Sequence, residues 1–255
     1  MTEVWKALVR RPVLYLYAAL ALGALYLPLV LLSVVSFQGG ATPWHWYEVA
    51  FADPELMKAL KNSVIIATGA MVLATCLGTS AALGLRKAKF RGMALVESLI
   101  SLPLVLPEIV MGLSMLVWFV FVGMTLGLLS VTLAHATFCI PYVVLMVTTR
   151  LKSIDPLLEE AASDLGATPW VTFWRILFPL LLPSIVASAL LSFTLSFDDF
   201  LITFFTGGIG SDTLPVRIYS MMRFGVKPEM NAISAAVLFF TLATVIIVAR
   251  LKKDR

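Results

Sequence analysis

DPLLEEAASDLGATPWVTFWRILFPLLLP, residues 155–183, is the one long polar interruption between two late hydrophobic runs, and its reading decides how the rest of the chain is arranged. Asp155 is a good N-cap and Pro156 suits the first helical position, where a missing N–H costs nothing. Gly166 suits the left-handed conformation that stops a helix. Thr168 and Pro169 repeat the start signal at once, and the second helix runs until Pro179 and Pro183 disturb it. The stretch therefore predicts two short helices joined at a glycine. In the first, Leu158, Ala161, Ala162 and Leu165 recur at helical spacing and share a face, while Glu159, Glu160, Ser163 and Asp164 lie largely elsewhere. Such a hairpin either merely joins two spans or offers another protein a face whose alanines allow close approach, ringed by carboxylates for basic groups.

Composition sets the surroundings of this hairpin. Of 255 residues, 60% are hydrophobic and only 13% charged, which excludes an ordinary soluble domain and predicts an all-α membrane protein. The net charge of +4 comes from short basic clusters between apolar runs, a pattern of membrane topology rather than of a nucleic-acid surface. Cys76 and Cys139 both lie inside apolar runs and read as small packing residues, not as a disulfide or metal framework.

Six spans are expected, at about 13–37, 63–85, 102–123, 129–149, 180–206 and 231–249, within a single transmembrane domain covering 1–255 and with a polar loop at 150–179. The first run is too long for a secretory signal and is expected to be retained. With both termini inside, fourteen Lys and Arg fall on the inner side and five outside, in keeping with the positive-inside rule. The second span is rich in Ala, Gly, Ser and Thr, which suits close packing in a bundle. Between the first two spans, Trp44, Trp46 and Tyr47 read either as an interfacial belt or as a lip, with Trp46 holding a cation against its ring.

Three acids fall within the predicted spans. Glu108 opens the third behind Pro103 and Pro107, and an intramembrane carboxylate is expensive unless it faces water or a partner. In the fifth, Ser184, Ser188, Ser192, Ser196, Asp199 and Thr203 follow at steps of four, four, four, three and four, a polar stripe on one side of a helix. Hydroxyls so placed either line a path or bond to neighbouring helices and backbone. Asp198 and Asp199 lie about 27 to 29 Å along a continuous helix begun at Leu180, near its outer end. His135 in the fourth span reads as a neutral imidazole bonded to a neighbouring helix. No Lys or Arg lies inside an expected span, so a path past these acids favours a cation and repels sulfate, phosphate or molybdate. Phe193, Phe197, Phe200 and Trp118 are placed to cover the methylenes of an organic cation.

Glu160-Ala161-Ala162, then Gly166, Ile176 and Pro179, resemble the EAA loop of ABC-importer permeases, with Phe178 where Leu is usual. The resemblance implies a type I importer fold in which this loop is a cytoplasmic coupling helix seated on an ATPase. HATFCIPYV (135–143), SFTLSFDDF (192–200), LPVRIYSMMRFGVKPEMNAIS (214–234), KFRG (89–92) and LPLVLPEIVMG (102–112) resemble spermidine/putrescine importer permeases, on the PotC-like side of the permease pair. That implies a second, PotB-like permease, a dimer of PotA-like ATPase subunits and an external PotD-like polyamine-binding protein in the bacterial inner membrane. The residues expected to contact substrate, from the rim, the stripe and the intramembrane acids, are Trp46, Glu108, Ser196, Asp198 and Asp199; Glu108 stands where the family often has Asp.

The chain holds no G-x-x-x-x-G-K-[ST] phosphate loop, so no cofactor is expected in it, and ATP and Mg²⁺ belong to the partner ATPase. Three rivals stand beside polyamine import. One is import of another organic cation or a metal complex, and the second is an ion-gradient carrier, which usually shows paired halves. The third is a membrane enzyme, for which neither H-E-x-x-H nor G-x-S-x-G is present.

Overall fold

The computed structural model describes the backbone of residues 2–87, 91–223, 225 and 227–253, with side chains at all of these except 2–12, 87 and 244–253. The basic residues Lys6, Arg10, Arg11, Lys87 and Lys89, and those from Arg250 onward, fall outside the described side chains, as does part of the KFRG motif. Among the described residues every regular element is helical. The chain divides into two compact units, one of residues 1–54 and 221–240, the other of 55–220 and 241–255.

In the first unit, α1 (Thr2–Val35) carries the apolar stretch Val13–Val35, none of which is buried. Its 23 residues rise about 34 Å, enough for a hydrocarbon core of about 30 Å. Phe37, Trp44 and Tyr47 pack ring to ring beyond its end, and Ser36 Oγ lies 2.8 Å from Tyr47 Oη. A short helix, α2 (His45–Ala52), follows.

The second unit is built on two long helices. In α3 (Pro54–Lys87), Ile66, Ala67, Ala70, Ala74 and Ala82 are buried. A Cβ at Gly69 would meet Thr132 at 2.8 Å, and one at Gly78 would meet Val143 at 2.7 Å, so small residues bring α3 against α6 (Leu128–Ser153) as the composition of this span predicts. α6 forms the core, with Val131, Ala134, His135, Cys139, Val143 and Val147 fully buried.

Two predicted spans differ from expectation. The third is not one helix over 102–123. The chain forms α4 (Met93–Ser101), a 3₁₀ turn (Leu102–Leu104), then α5 (Glu108–Phe121), and the two limbs bend by 108°. Pro103 and Pro107 supply no N–H, and Pro107 biases Leu106 away from helix, so the chain turns at the Leu-Pro pair. Glu108 therefore opens a helix and does not interrupt one.

The fifth span starts earlier and stops earlier than 180–206. Helix is continuous from Pro169 to Asp198 through α8 (Pro169–Thr172), a π turn (Phe173–Leu177) and α9 (Phe178–Asp198). The wide π turn lies directly before the Phe178–Pro179 pair, where the missing proline N–H leaves a carbonyl without its usual partner. Asp199 is extended (φ −69°, ψ 131°), and helix resumes as α10 (Leu201–Thr206).

Beyond α10, the stretch 207–230 between the fifth and sixth expected spans contains α11 (Leu214–Met222) and leads into α12 (Pro228–Lys253). Its start is fixed by polar bonds from α3 and α6. Asn62 donates to the carbonyls of Gly210 and Asp212, Ser63 Oγ accepts the Leu214 N–H, and Ser130 donates to Thr206 O. Among the described residues four helical stretches are long and apolar enough to cross a membrane, or five if the bent pair counts as one.

Candidate functional site

The polar stripe of α9 faces α6 and fastens to it. Ser184 Oγ donates to Met146 O at 3.1 Å, Cys139 Sγ to Ser192 O at 3.6 Å, and Ser196 Oγ lies 2.7 Å from His135 Nδ1. The hydrogen-bonding alternative thus describes most of the stripe. Its last members gather around His135, which has no exposed surface. His135 Nε2 lies 3.0 Å from Thr203 Oγ1 and 3.2 Å from Asp199 Oδ1, while that carboxylate oxygen also accepts the Thr203 backbone N–H at 3.0 Å. A ring with Nε2–H donating toward Thr203 and Asp199, and Nδ1 accepting from Ser196, satisfies every group. The hydrogen bonding expected for His135 is present, though it spans the break between two helices.

This arrangement separates the two aspartates. Asp199 is buried and paired, whereas Asp198, the last residue of α9, is exposed. Asp residues favour such a break because their short carboxylates bond nearby backbone and compete with helix. The chain turns out of helix at Asp199, so the two side chains do not simply differ by one helical step.

Glu108 joins them through the packing of α5 on α10. A Cβ at Gly112 would lie 3.3 Å from Ile202 Cα and 3.3 Å from Leu201 O, so the two backbones come close there. Glu108, one turn earlier on α5, is exposed, and the charge of Asp199 is near enough to act on both Glu108 and Asp198. Residues 90 positions apart in sequence thus share one acidic locality.

Other expected site residues sit differently. Ser196 is buried against His135 and presents almost no surface. Trp46, in the other unit, is half-buried and donates its indole N–H to Gln38 O at 2.8 Å. Phe197 is buried, with its ring stacked on Phe193 at 5.8 Å. Trp118 is stacked on Phe121, about 15 Å along α5 from Glu108. Phe200 does flank the acids, and its ring lies 4.7 Å from that of Tyr219 on α11, a residue the sequence reading missed. Tyr219 carries no signal of its own in the sequence, because only the placement of α11 brings its ring to Phe200. Among the described residues no group of three or more His, Cys, Asp or Glu is placed to hold a metal.

At the other end of α9, the hairpin has the predicted caps. Asp155 Oδ1 accepts the Leu157 N–H at 3.0 Å at the start of α7 (Leu157–Asp164), and Thr168 Oγ1 accepts that of Val171 at 3.4 Å. Gly166 has φ 81°, and Ala167 N–H returns to Ala162 O at 2.9 Å. Ala162 is buried, while Glu160 and Ala161 are exposed and Leu165 is 89% exposed. Ile176 is half-buried in the π turn and Pro179 is exposed. Glu159, not Glu160, ties the hairpin inward by an ion pair with Arg86 near the end of α3.

An all-helical membrane chain with a broken acidic helix at one end and a capped, leucine-bearing hairpin at the other has the fold of an ABC-importer permease. It superposes on a chain of a bacterial ABC transporter involved in the import of the acidic polysaccharide alginate with a TM-score of 0.73, covering 99% of this chain and 98% of that one at 16% identity. The family model for binding-protein-dependent transport system inner membrane components matches residues 74–253, and the chain belongs to that family. It is therefore a multi-pass inner-membrane transport component and not an enzyme. It is 39% identical over 230 residues to the spermidine/putrescine transport system permease protein PotC of Haemophilus influenzae, covering 88% of this chain and 90% of that protein. It is also 39% identical over 244 residues to the putrescine transport system permease protein PotI of Escherichia coli, covering 90% and 87%.

Proposed function

We propose that the chain is a permease subunit of an ATP-driven ABC importer for polyamines, spermidine and/or putrescine. The observation that carries this reading is the convergence of Glu108, Asp198 and Asp199 in one locality. Carboxylates at such a place favour a cation and repel an anion. The fold alone does not decide cargo charge, since a chain of the same fold serves an acidic polysaccharide. The names of the relatives, which transport spermidine and putrescine, agree with the charge argument.

In this reading six spans cross the membrane with both termini in the cytoplasm, and residues 1–255 act as one permease domain. Exposed Glu108 and Asp198 face a path completed by a second permease subunit, with Phe200 and Tyr219 over the methylenes of the amine. Ser196 and Asp199 support that surface from beneath, and Trp46 belongs to the receiving rim. The hairpin is the coupling helix. Glu160, Ala161 and the exposed Leu165 seat in an ATPase groove, buried Ala162 backs that face from within the chain, Gly166 sets the turn, and Ile176 and Pro179 carry motion into α9. ATP and Mg²⁺ are bound by the two ATPase subunits, and an external binding protein delivers the polyamine. A complex with these partners, reconstituted in vesicles with ATP, is expected to accumulate labelled spermidine or putrescine and not sulfate or a neutral sugar. Accumulation of a metal complex or another organic cation in their place would replace this reading by its nearest rival.

A further inference from the structure

We propose that His135 is a positioning residue of the cation path: by holding Asp199 as a buried, paired carboxylate, it keeps the α9–α10 break in the shape that presents Asp198 to solvent. The inference rests on the polyamine reading of the acids. One side chain on α6 touches both sides of the break, Ser196 in the last turn of α9 through Nδ1 at 2.7 Å, and Asp199 and Thr203 through Nε2 at 3.2 and 3.0 Å. Asp199 is extended there, and its carboxylate has 3% of its side-chain surface exposed. A carboxylate buried that far is held by its partners, and without them it turns toward water. A turn of the extended backbone at Asp199 displaces Asp198, because one planar peptide unit joins the two residues at the end of α9.

Ser196, His135 and Asp199 are the residue types of a hydrolytic triad, but the serine sits at Nδ1 and the aspartate at Nε2, the reverse of the triad's bonding, and all three are buried. The groups that face this centre are the hydroxyls of Ser196 and Thr203, the Asp199 carboxylate and, one turn along α6, the Cys139 thiol. The histidine can therefore act on transport only through Asp199 and the break.

The test compares His135→Gln, whose amide reaches the Nε2 position, with His135→Asn, whose amide reaches Ser196 but falls short of Asp199. In the intact complex at matched membrane levels, His135→Asn is expected to raise the KM for polyamine uptake about tenfold with a smaller change in maximal rate, and His135→Gln to stay within about threefold of the native KM. A substrate-free arm places a cysteine by Asp198→Cys in a Cys76→Ser background and measures its modification by a charged maleimide. His135→Asn is expected to slow that modification several-fold, and His135→Gln to leave it unchanged. Equal behaviour of the two variants in either readout, or losses that only track the amount of assembled complex, would overturn the inference. If the native complex takes up no polyamine, the functional reading alone fails, and the maleimide arm still decides the role of His135.

Discussion

Gly112 on α5 and Ile202 on α10 approach so closely that a Cβ added to the glycine would lie 3.3 Å from the Ile202 Cα and 2.9 Å from a ring carbon of Phe205. The contact sets Glu108 beside the two aspartates, because Glu108 stands one turn from Gly112 on the same helix. Gly112→Val should cost about 1–3 kcal/mol by overpacking and should push α5 off α10. Thermal unfolding in detergent and polyamine uptake should fall together, with Gly112→Ala intermediate. Native uptake by Gly112→Val would show that Glu108 need not sit there.

The two adjacent aspartates should fail differently. Asp199→Ala leaves the His135 ring N–H and the Thr203 backbone N–H without their shared acceptor, and a buried donor left unsatisfied costs about 1–3 kcal/mol. Asp198→Asn changes an exposed side chain, so stability should stay within about 0.5 kcal/mol while uptake drops. Denaturation midpoints of the two purified variants check the contrast.

Arg86 and Glu159 join the end of α3 to the coupling hairpin, each with 23% of its side chain exposed. Partial exposure limits the stability at stake to about 1 kcal/mol or less. Arg86→Ala should therefore leave folding and ATPase binding nearly intact and lower uptake per ATP hydrolysed. The exchange Arg86→Glu with Glu159→Arg should recover part of the loss, and the ratio of uptake to hydrolysis in vesicles measures it.

Leu165 projects from the hairpin with 89% of its surface exposed, an arrangement of no value to the isolated chain. Leu165→Asp should leave thermal stability within about 0.5 kcal/mol and release the ATPase subunits on co-purification. Gly166→Val has another cost, about 1–2 kcal/mol for a β-branched residue in the left-handed region, and should shift the hairpin and weaken coupling with the subunits still bound.

The hairpin was legible because its signals are local. Asp155, Gly166 and Thr168 act on residues within one turn of themselves, and each is found in its expected role. The helical class was legible from composition. The broken helices were not, although Pro103, Pro107 and the Asp pair stand at the breaks, because apolar content runs straight through both and hydropathy has no means of marking a turn. The stripe of serines read correctly as one face, but spacing does not say whether a face meets water or another helix. His135 decides that question for Ser196, Asp199 and Thr203, and its approach is a tertiary fact joining positions 61 to 68 residues apart. Tyr219 went unnoticed for the same reason, since only the placement of α11 brings it to Phe200.

The central claim is that exposed Glu108 and Asp198 form the polyamine-facing surface of this permease. Uptake of labelled spermidine and putrescine by the assembled importer, with Glu108→Gln and Asp198→Asn at matched membrane levels, tests it most directly. The account predicts that uptake of both amines falls at least about tenfold in each variant while the subunits assemble and basal ATP hydrolysis persists. Native uptake in both variants would contradict it, leaving a permease whose cargo path runs elsewhere.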